Sequence, residues 1–256
     1  MMAPDELSRQ RELAFVQWLD TIKNDAAAIF LLGDVFDFWF EYRHVVPRGF
    51  VRLLGKLAEL TDNGITIHFF TGNLDQWIRN YLPYELNINI YQKPAEFEIN
   101  GKQFLIGHGH EISFKNLTER VLHFFFSNRL FRKLFAMLHP FWGVAFGKNW
   151  SKNHRKRYGA VLPFKGAEKE LIYQYIQKKL AEKHYDFFVF GHRHLAMDLR
   201  AGENSRYINI GEWLDKQTFA VFDGEDMSLY SAKGEVDFLR GDDVSWPVGG
   251  NAKRSG

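Results

Sequence analysis

The chain has 256 residues, 46% of them apolar and 25% charged, enough for one large domain with a sizeable core. The net charge is only +2, and there is no cysteine, which excludes disulfides and Cys-ligated zinc or iron–sulfur clusters. The opening "MMAPDELSRQRE" is too polar for a secretory signal, and no uninterrupted apolar run reaches the roughly 18 residues of a transmembrane helix, so a cytoplasmic protein is expected.

Leu13, Val16, Leu19 and Ile22 recur at helical spacing after Asp5, an N-cap residue type. "AAAIFLLGDVFDFWF" then reads as a fully buried strand running into a loop. "GFVRLLGKLAELTDNG" predicts a helix that stops at Gly64, and "ITIHFFTGNLD" a second buried strand and loop. This alternation argues for an α/β sheet. Asn100-Gly101 between apolar runs predicts a hairpin. A long insertion follows. The helical pattern of "GAEKELIYQYIQKKLAEKH" leads into the strand "YDFFVFGHRH", and "RYINIGEW", "TFAVFDG" and "MSLYSAKG" read as a meander of short strands. Residues 1–240 form one domain on this reading, and the Gly-containing tail 241–256 is expected to be disordered.

Four of the apolar runs end in polar punctuation: "GDVFD", "GNLD", "GHGH" and "GHRH". Sites in open α/β sheets form beyond the carboxyl ends of strands, so these four ends are expected to converge. Asp34, Asn73, His108, His192 and His194 are oxygen and imidazole donors without thiolate, a set that suits Mn²⁺, Fe²⁺ or Zn²⁺ better than Ca²⁺. A glycine before most of them lets the backbone turn sharply beside an ion. Asp37 is either a residue that orients a ligand from behind or a loop cap.

In this order the four motifs resemble those of the calcineurin-like metallophosphoesterases. "LLGDVFDFWFEY", "FGHRHL" and "GENSRYINIGEW" are similar to the UDP-2,3-diacylglucosamine diphosphatase branch, in its Bacteroidetes-like form, over about residues 3–226. The resemblance implies a four-layer αββα sandwich with an inserted cap and a di-metal site, usually manganese. It implies attack of metal-activated water on a pyrophosphate, giving UMP and 2,3-diacylglucosamine 1-phosphate for lipid A synthesis. It makes Asp34 the carboxylate shared by both metals, completes the second metal with Asn73, His108 and His192, and gives His194 to the first.

The chain departs from that pattern in three places. The family's first strand, ending Asp-x-His, has no counterpart, because "MMAPDEL" stands where the family has already passed it. A truncated or mis-assigned start is the favoured expectation over evolved loss, and the first metal site is expected to be crippled. Leu74 stands where the family carries a His or Arg beside the phosphates, and leucine can neither donate a proton nor stabilise charge. His110 stands where this branch has Asp, and it could add a ligand.

The insertion, residues 111–165, carries eleven Lys or Arg against two Glu, a net +9 that leaves −7 for the remainder, and twelve aromatic residues. Basic and aromatic residues together suggest a cap lying on an anionic membrane and taking up acyl chains of a lipid-linked nucleotide sugar. The alternatives are a helical hairpin packed on the body and a nucleic-acid surface. The apolar runs "VLHFFF" and "LFAMLHPFWGVAF" are longer than a strand-stacking groove needs, so nucleic acid is disfavoured. "SKNHRKR", with Lys152, Asn153 and Arg155, either holds the substrate phosphates or forms a solvated turn. Three functions follow: a peripheral diphosphatase, a pseudoenzyme that keeps fold and cap without turnover, and a nuclease-like phosphoesterase. No oligomeric state is implied.

Overall fold

The structure, a computed structural model, describes residues 6–112, 128–158, 163–234 and 238–240, without the side chains of residues 7, 148, 152–158 and 240. The expected disordered tail and the "VLHFFF" run of the cap lie outside the described residues.

Period-two alternation builds the centre. In β1 (Ala28–Leu31) and β2 (Thr66–Phe70), Ile29, Leu31, Ile67 and Phe69 turn to a core beneath α1 (Glu6–Ile22) and α2 (Val51–Asp62). Phe30, Leu32 and Phe70 turn to the opposite face. There they meet Phe104 and Ile106 of β5 (Lys102–Gly107) and Phe187 and Val189 of β6 (Phe187–Phe190). Leu105, Phe188 and Phe190 face the other way, onto Ile172 and Ile176 of α6 (Leu171–Glu182). The layers are therefore helix, sheet, sheet, helix, the expected αββα sandwich.

The first sheet is parallel, in the order β1-β2-β3, with β3 at Asn89–Tyr91 after the short α3 (Tyr81–Leu86). The second is mixed, in the order β11-β7-β8-β6-β5-β4, using β4 (Ala95–Ile99), β7 (Ala196–Gly202), β8 (Ser205–Ile210) and β11 (Leu239–Arg240). β9 (Thr218–Phe222) and β10 (Met227–Ser231) form a separate antiparallel hairpin.

Local chemistry set several boundaries. α2 closes where Gly64, at φ 86°, gives its N–H to Thr61 O and Ile65 gives its own to Leu60 O. Asn100 (φ 50°) and Gly101 (φ 76°) make the predicted turn between antiparallel β4 and β5. Two readings are corrected. The run after Ala26, expected as a fully buried strand, yields a strand of only four residues that pairs, among the described residues, with β2 alone and buries Ile29 and Leu31 while Ala28 is exposed. The three late runs are no meander: β8 is inserted between β7 and β6, away from the β9–β10 hairpin. β7 escaped the sequence reading because Asp198 and Arg200 interrupt its apolar pattern. Asp198 forms an ion pair with the buried Arg206 of β8.

The described part of the insertion is a helical pair, α4 (Arg129–Ala136) and α5 (Pro140–Tyr158). Asn128 caps α4 by accepting the Leu130 N–H at 2.8 Å.

Candidate metal centre

The carboxyl ends of β1, β2, β5 and β6 meet at one rim, although they belong to two different sheets. Glycine makes the approach possible. A Cβ on Gly72 would lie 2.5 Å from the Asp34 backbone nitrogen, and one on Gly33 would lie 2.6 Å from His108 Nδ1. Asp34 (φ 53°), His192 (φ 63°) and His194 (φ 55°) adopt left-handed backbone conformations, which cost non-glycine residues energy and tend to collect at functional sites.

Asp75 ties two of the loops together. Its fully buried carboxylate accepts the N–H groups of Gly72 (2.7 Å), Val35 (2.8 Å), Asp34 (3.2 Å) and Phe36 (3.3 Å). Burial and the neighbouring Asp34 nevertheless push its pKa up to about 7, against the pull of those donors. Asn209 serves the opposite sheet in the same way, donating to Gly191 O at 2.6 Å and accepting the Gly211 N–H at 3.2 Å. Neither role shows in sequence spacing, because each depends on loops brought together from distant strands.

Asp34 is buried, and its Oδ1 accepts the Leu74 N–H at 2.9 Å. Burial raises its pKa, with the Leu74 bond opposing and the buried Asp37 adding to the rise. His108 presents Nδ1 to Leu32 O at 2.6 Å, which assigns the proton to Nδ1 and leaves the Nε2 lone pair toward the rim. Burial lowers its pKa, so it is neutral. His108 Nε2 has no hydrogen-bond partner and stands 3.6 Å from Asp34 Oδ2. The His108 ring lies 5.1 Å from that of His192 and 5.3 Å from that of His110. His194 is lowered in pKa by burial and feels Asp34 and Glu212 as opposing charges. Asn73 stands between two residues that touch or approach Asp34, and its buried side-chain amide nitrogen lacks a partner. His110 Nδ1 lies 3.1 Å from Glu111 Oε2.

A neutral imidazole with a fixed tautomer, its buried Nε2 lone pair without a partner, beside a buried carboxylate is what a divalent cation would satisfy, and Asn73 would serve through its amide oxygen, so the residues present fit such an ion. Among the described residues, however, no three His, Cys, Asp or Glu side chains are gathered closely enough to hold one as they stand. Rings 5.1 to 6.5 Å apart face one space without meeting at a point.

Leu74 is explained by packing. It is buried, and its side chain shares a small cavity with Phe38, Trp77, Phe146 and Trp150, between the rim loop and α5. Gly147 lets α5 lie directly on Phe38, and Phe135 of α4 packs on Phe38, Phe40 and Trp77. Lys152, Asn153 and Arg155 sit on α5, but their side chains lie outside the description.

The sequence profile of the calcineurin-like phosphoesterases matches residues 11–196. The chain belongs to that family. Calcineurin-like phosphoesterases work with divalent metal ions. The chain is 37% identical over 241 residues to a UDP-2,3-diacylglucosamine hydrolase of Porphyromonas gingivalis, covering 89% of this chain and 91% of that one. A protein of the same name from Ectopseudomonas mendocina is 25% identical, covering 83% and 87%. A solved structure of a hypothetical protein from Pyrococcus horikoshii superposes with a TM-score of 0.45 at 12% identity, covering 89% of this chain and 83% of that one, too distant a likeness to argue from.

Proposed function

We propose that this phosphoesterase hydrolyses the pyrophosphate of UDP-2,3-diacylglucosamine, releasing UMP and 2,3-diacylglucosamine 1-phosphate. The observation that carries the reading is the 37% identity, spread over nearly the whole of both chains, to a hydrolase of that substrate. Asp34, Asn73, His108 and His192 would hold one divalent ion, and Asp34 with His194 part of a second. Manganese suits this oxygen and imidazole set. Bound metal supplies Lewis acidity at a phosphoryl oxygen and a more acidic water.

The chain's own residues set the geometry. Asp75 and Asn209 fix the loops, Asp37 adds negative potential behind Asp34, and Leu32 O aims His108. Lys152, Asn153 and Arg155 are offered as phosphate contacts. The helical pair supplies the lipid surface. Phe141 and Trp142 are 65% and 66% exposed, and Leu130 and Leu134 are exposed beside Arg129, Arg132 and Lys133. Aromatic and basic groups side by side suit the interface of an anionic membrane better than nucleic acid. No helix among the described residues is long and apolar enough to cross a membrane. On this reading the exposed aromatic and basic face would rest on the cytoplasmic membrane surface, where the lipid-linked substrate lies.

A second reading, binding without turnover, is favoured by one observation: Leu74 is sealed beneath α5 at the position where the family places a charged residue. One assay separates the two readings. Full-length protein is incubated with Mn²⁺ and UDP-2,3-diacylglucosamine in detergent, while binding and UMP release are followed together. Release of UMP supports the diphosphatase, and binding without release supports the second reading. Failure to bind, with cleavage of a single-stranded oligonucleotide instead, removes both.

A further inference from the structure

The loop after β6 reads Gly191-His192-Arg193-His194, and the arginine between its two imidazoles has no part in the site described above. His192 and His194 hold left-handed backbone conformations, at φ 63° and φ 55°. Non-glycine residues leave that region unless the surrounding structure holds them there. Part of the hold is local. The Arg193 N–H is given to Gly191 O at 2.7 Å, the same carbonyl oxygen that Asn209 engages. Both bonds end on one atom, so they leave the turn able to pivot about it, and a pivot would swing both imidazoles.

The Arg193 side chain supplies the missing constraint. Its Nε donates to Glu170 Oε2 at 2.8 Å and its Nη2 to Glu170 Oε1 at 3.0 Å, a two-point pairing of planar groups that sets orientation as well as distance. The same Nη2 meets Pro163 O at 3.3 Å, where the insertion returns to the body. Both partners are largely buried, their side chains 14% and 13% exposed. Glu170 is itself well seated at the N-cap position of α6. Its N–H is given to Ala167 O at 3.0 Å, and its carbonyl accepts the Gln174 N–H at 3.0 Å. Its carboxylate caps no N–H of the helix, so both oxygens serve the guanidinium. The pairing also cancels a positive charge that would otherwise stand between two candidate metal ligands and repel a cation.

We propose that Arg193 and Glu170 are positioning residues for the metal centre. The pair locks the turn that carries His192 and His194 to the start of α6, and so presets the two imidazoles for a divalent ion. Neither residue is a ligand itself. This role rests on the reading of the rim as a metal centre.

The test titrates the full chain, stripped of metal, with Mn²⁺. Electron paramagnetic resonance distinguishes free from bound ion, and a melting curve is taken for each metal-free protein. Arg193→Lys keeps the charge and loses the fork. The double variant Arg193→Gln, Glu170→Gln removes both charges together, so no unpaired charge is left buried. Each is expected to bind Mn²⁺ about 10- to 100-fold more weakly than the parent, the usual cost of losing a group that orients a metal ligand. Tyr185→Phe is the control, removing a hydrogen bond to Glu96 at the opposite end of β6. It is expected to lower the melting temperature without changing Mn²⁺ affinity. Parent-like affinity in either folded Arg193 variant would overturn the proposal. So would an equal loss in Tyr185→Phe, which would make general loosening the cause, or a failure of both Arg193 variants to fold, which would make the pair a support of the fold. A parent that binds no Mn²⁺ would instead remove the metal centre, and with it any ion for the pair to serve.

Discussion

The metal rim and the helical pair invert each other. At the rim, polar groups are buried: Asp75 is fully enclosed, and His108 and Asp34 nearly so. On α4 and α5, apolar groups are exposed, and α4 has no buried residue at all. Buried polar groups need partners in the protein or in a ligand, and exposed apolar groups need a surface to cover them. In the function proposed above, each region meets something outside the polypeptide, a cation in one case and a lipid in the other. Damage at the rim should cost folding free energy, whereas damage to the exposed face of the helical pair should cost binding alone.

The sharpest break in that comparison is Asp75→Asn. The carboxamide would turn an N–H₂ group toward backbone donors that now meet oxygen, and stability is expected to fall by roughly 3 kcal/mol. Urea denaturation measures it, and a loss below that of an ordinary surface substitution would mean that Asp75 does not hold the loops. Gly72→Ala comes next, at about 2 kcal/mol, because its Cβ would press on the backbone of Asp34. Leu74→Ala, which empties space beneath α5, is expected to cost about 2 kcal/mol as well. If it instead left stability intact and raised turnover, packing would be the wrong reason for the leucine.

The smallest stability effect belongs to the double variant Phe141→Ser, Trp142→Ser, expected within about 0.5 kcal/mol of the parent. Sedimentation with anionic vesicles should nevertheless fall, largely independently of salt. Neutralising Arg129, Arg132 and Lys133 should weaken vesicle binding by at most about 3 kcal/mol, and salt should mimic that loss. A parent protein that stays in the supernatant at low salt would remove the membrane from the account. A serine variant that melts early would show that these rings are core after all.

What could be read from the sequence was what neighbours in the chain decide. Asn100-Gly101 announced its turn, Gly64 its helix end, and the four strand ends their polar residues. Asp75 was visible as an acid, but its task depends on loops some forty residues apart meeting at Gly72. β7 was hidden because Asp198 and Arg206 satisfy each other across the sheet, so its polar residues mimicked a loop. That β1 pairs, among the described residues, with β2 alone could not be read from its own composition, since an apolar strand looks the same with one neighbour or two. Leu74 looked like a lost catalytic group from the motif alone, and the structure adds its partners under α5.

The central claim, that the rim is a metal centre, is tested most directly by Asp34→Asn. Asparagine tolerates the left-handed backbone and keeps an oxygen for the Leu74 N–H, while the shared negative charge is lost. Mn²⁺ retained after dialysis is measured by mass spectrometry alongside a melting curve. The account predicts one tightly held ion in the parent, a second held more weakly, and neither retained in a variant that still folds. Two equally tight ions in the parent, or undiminished retention in the variant, would contradict it.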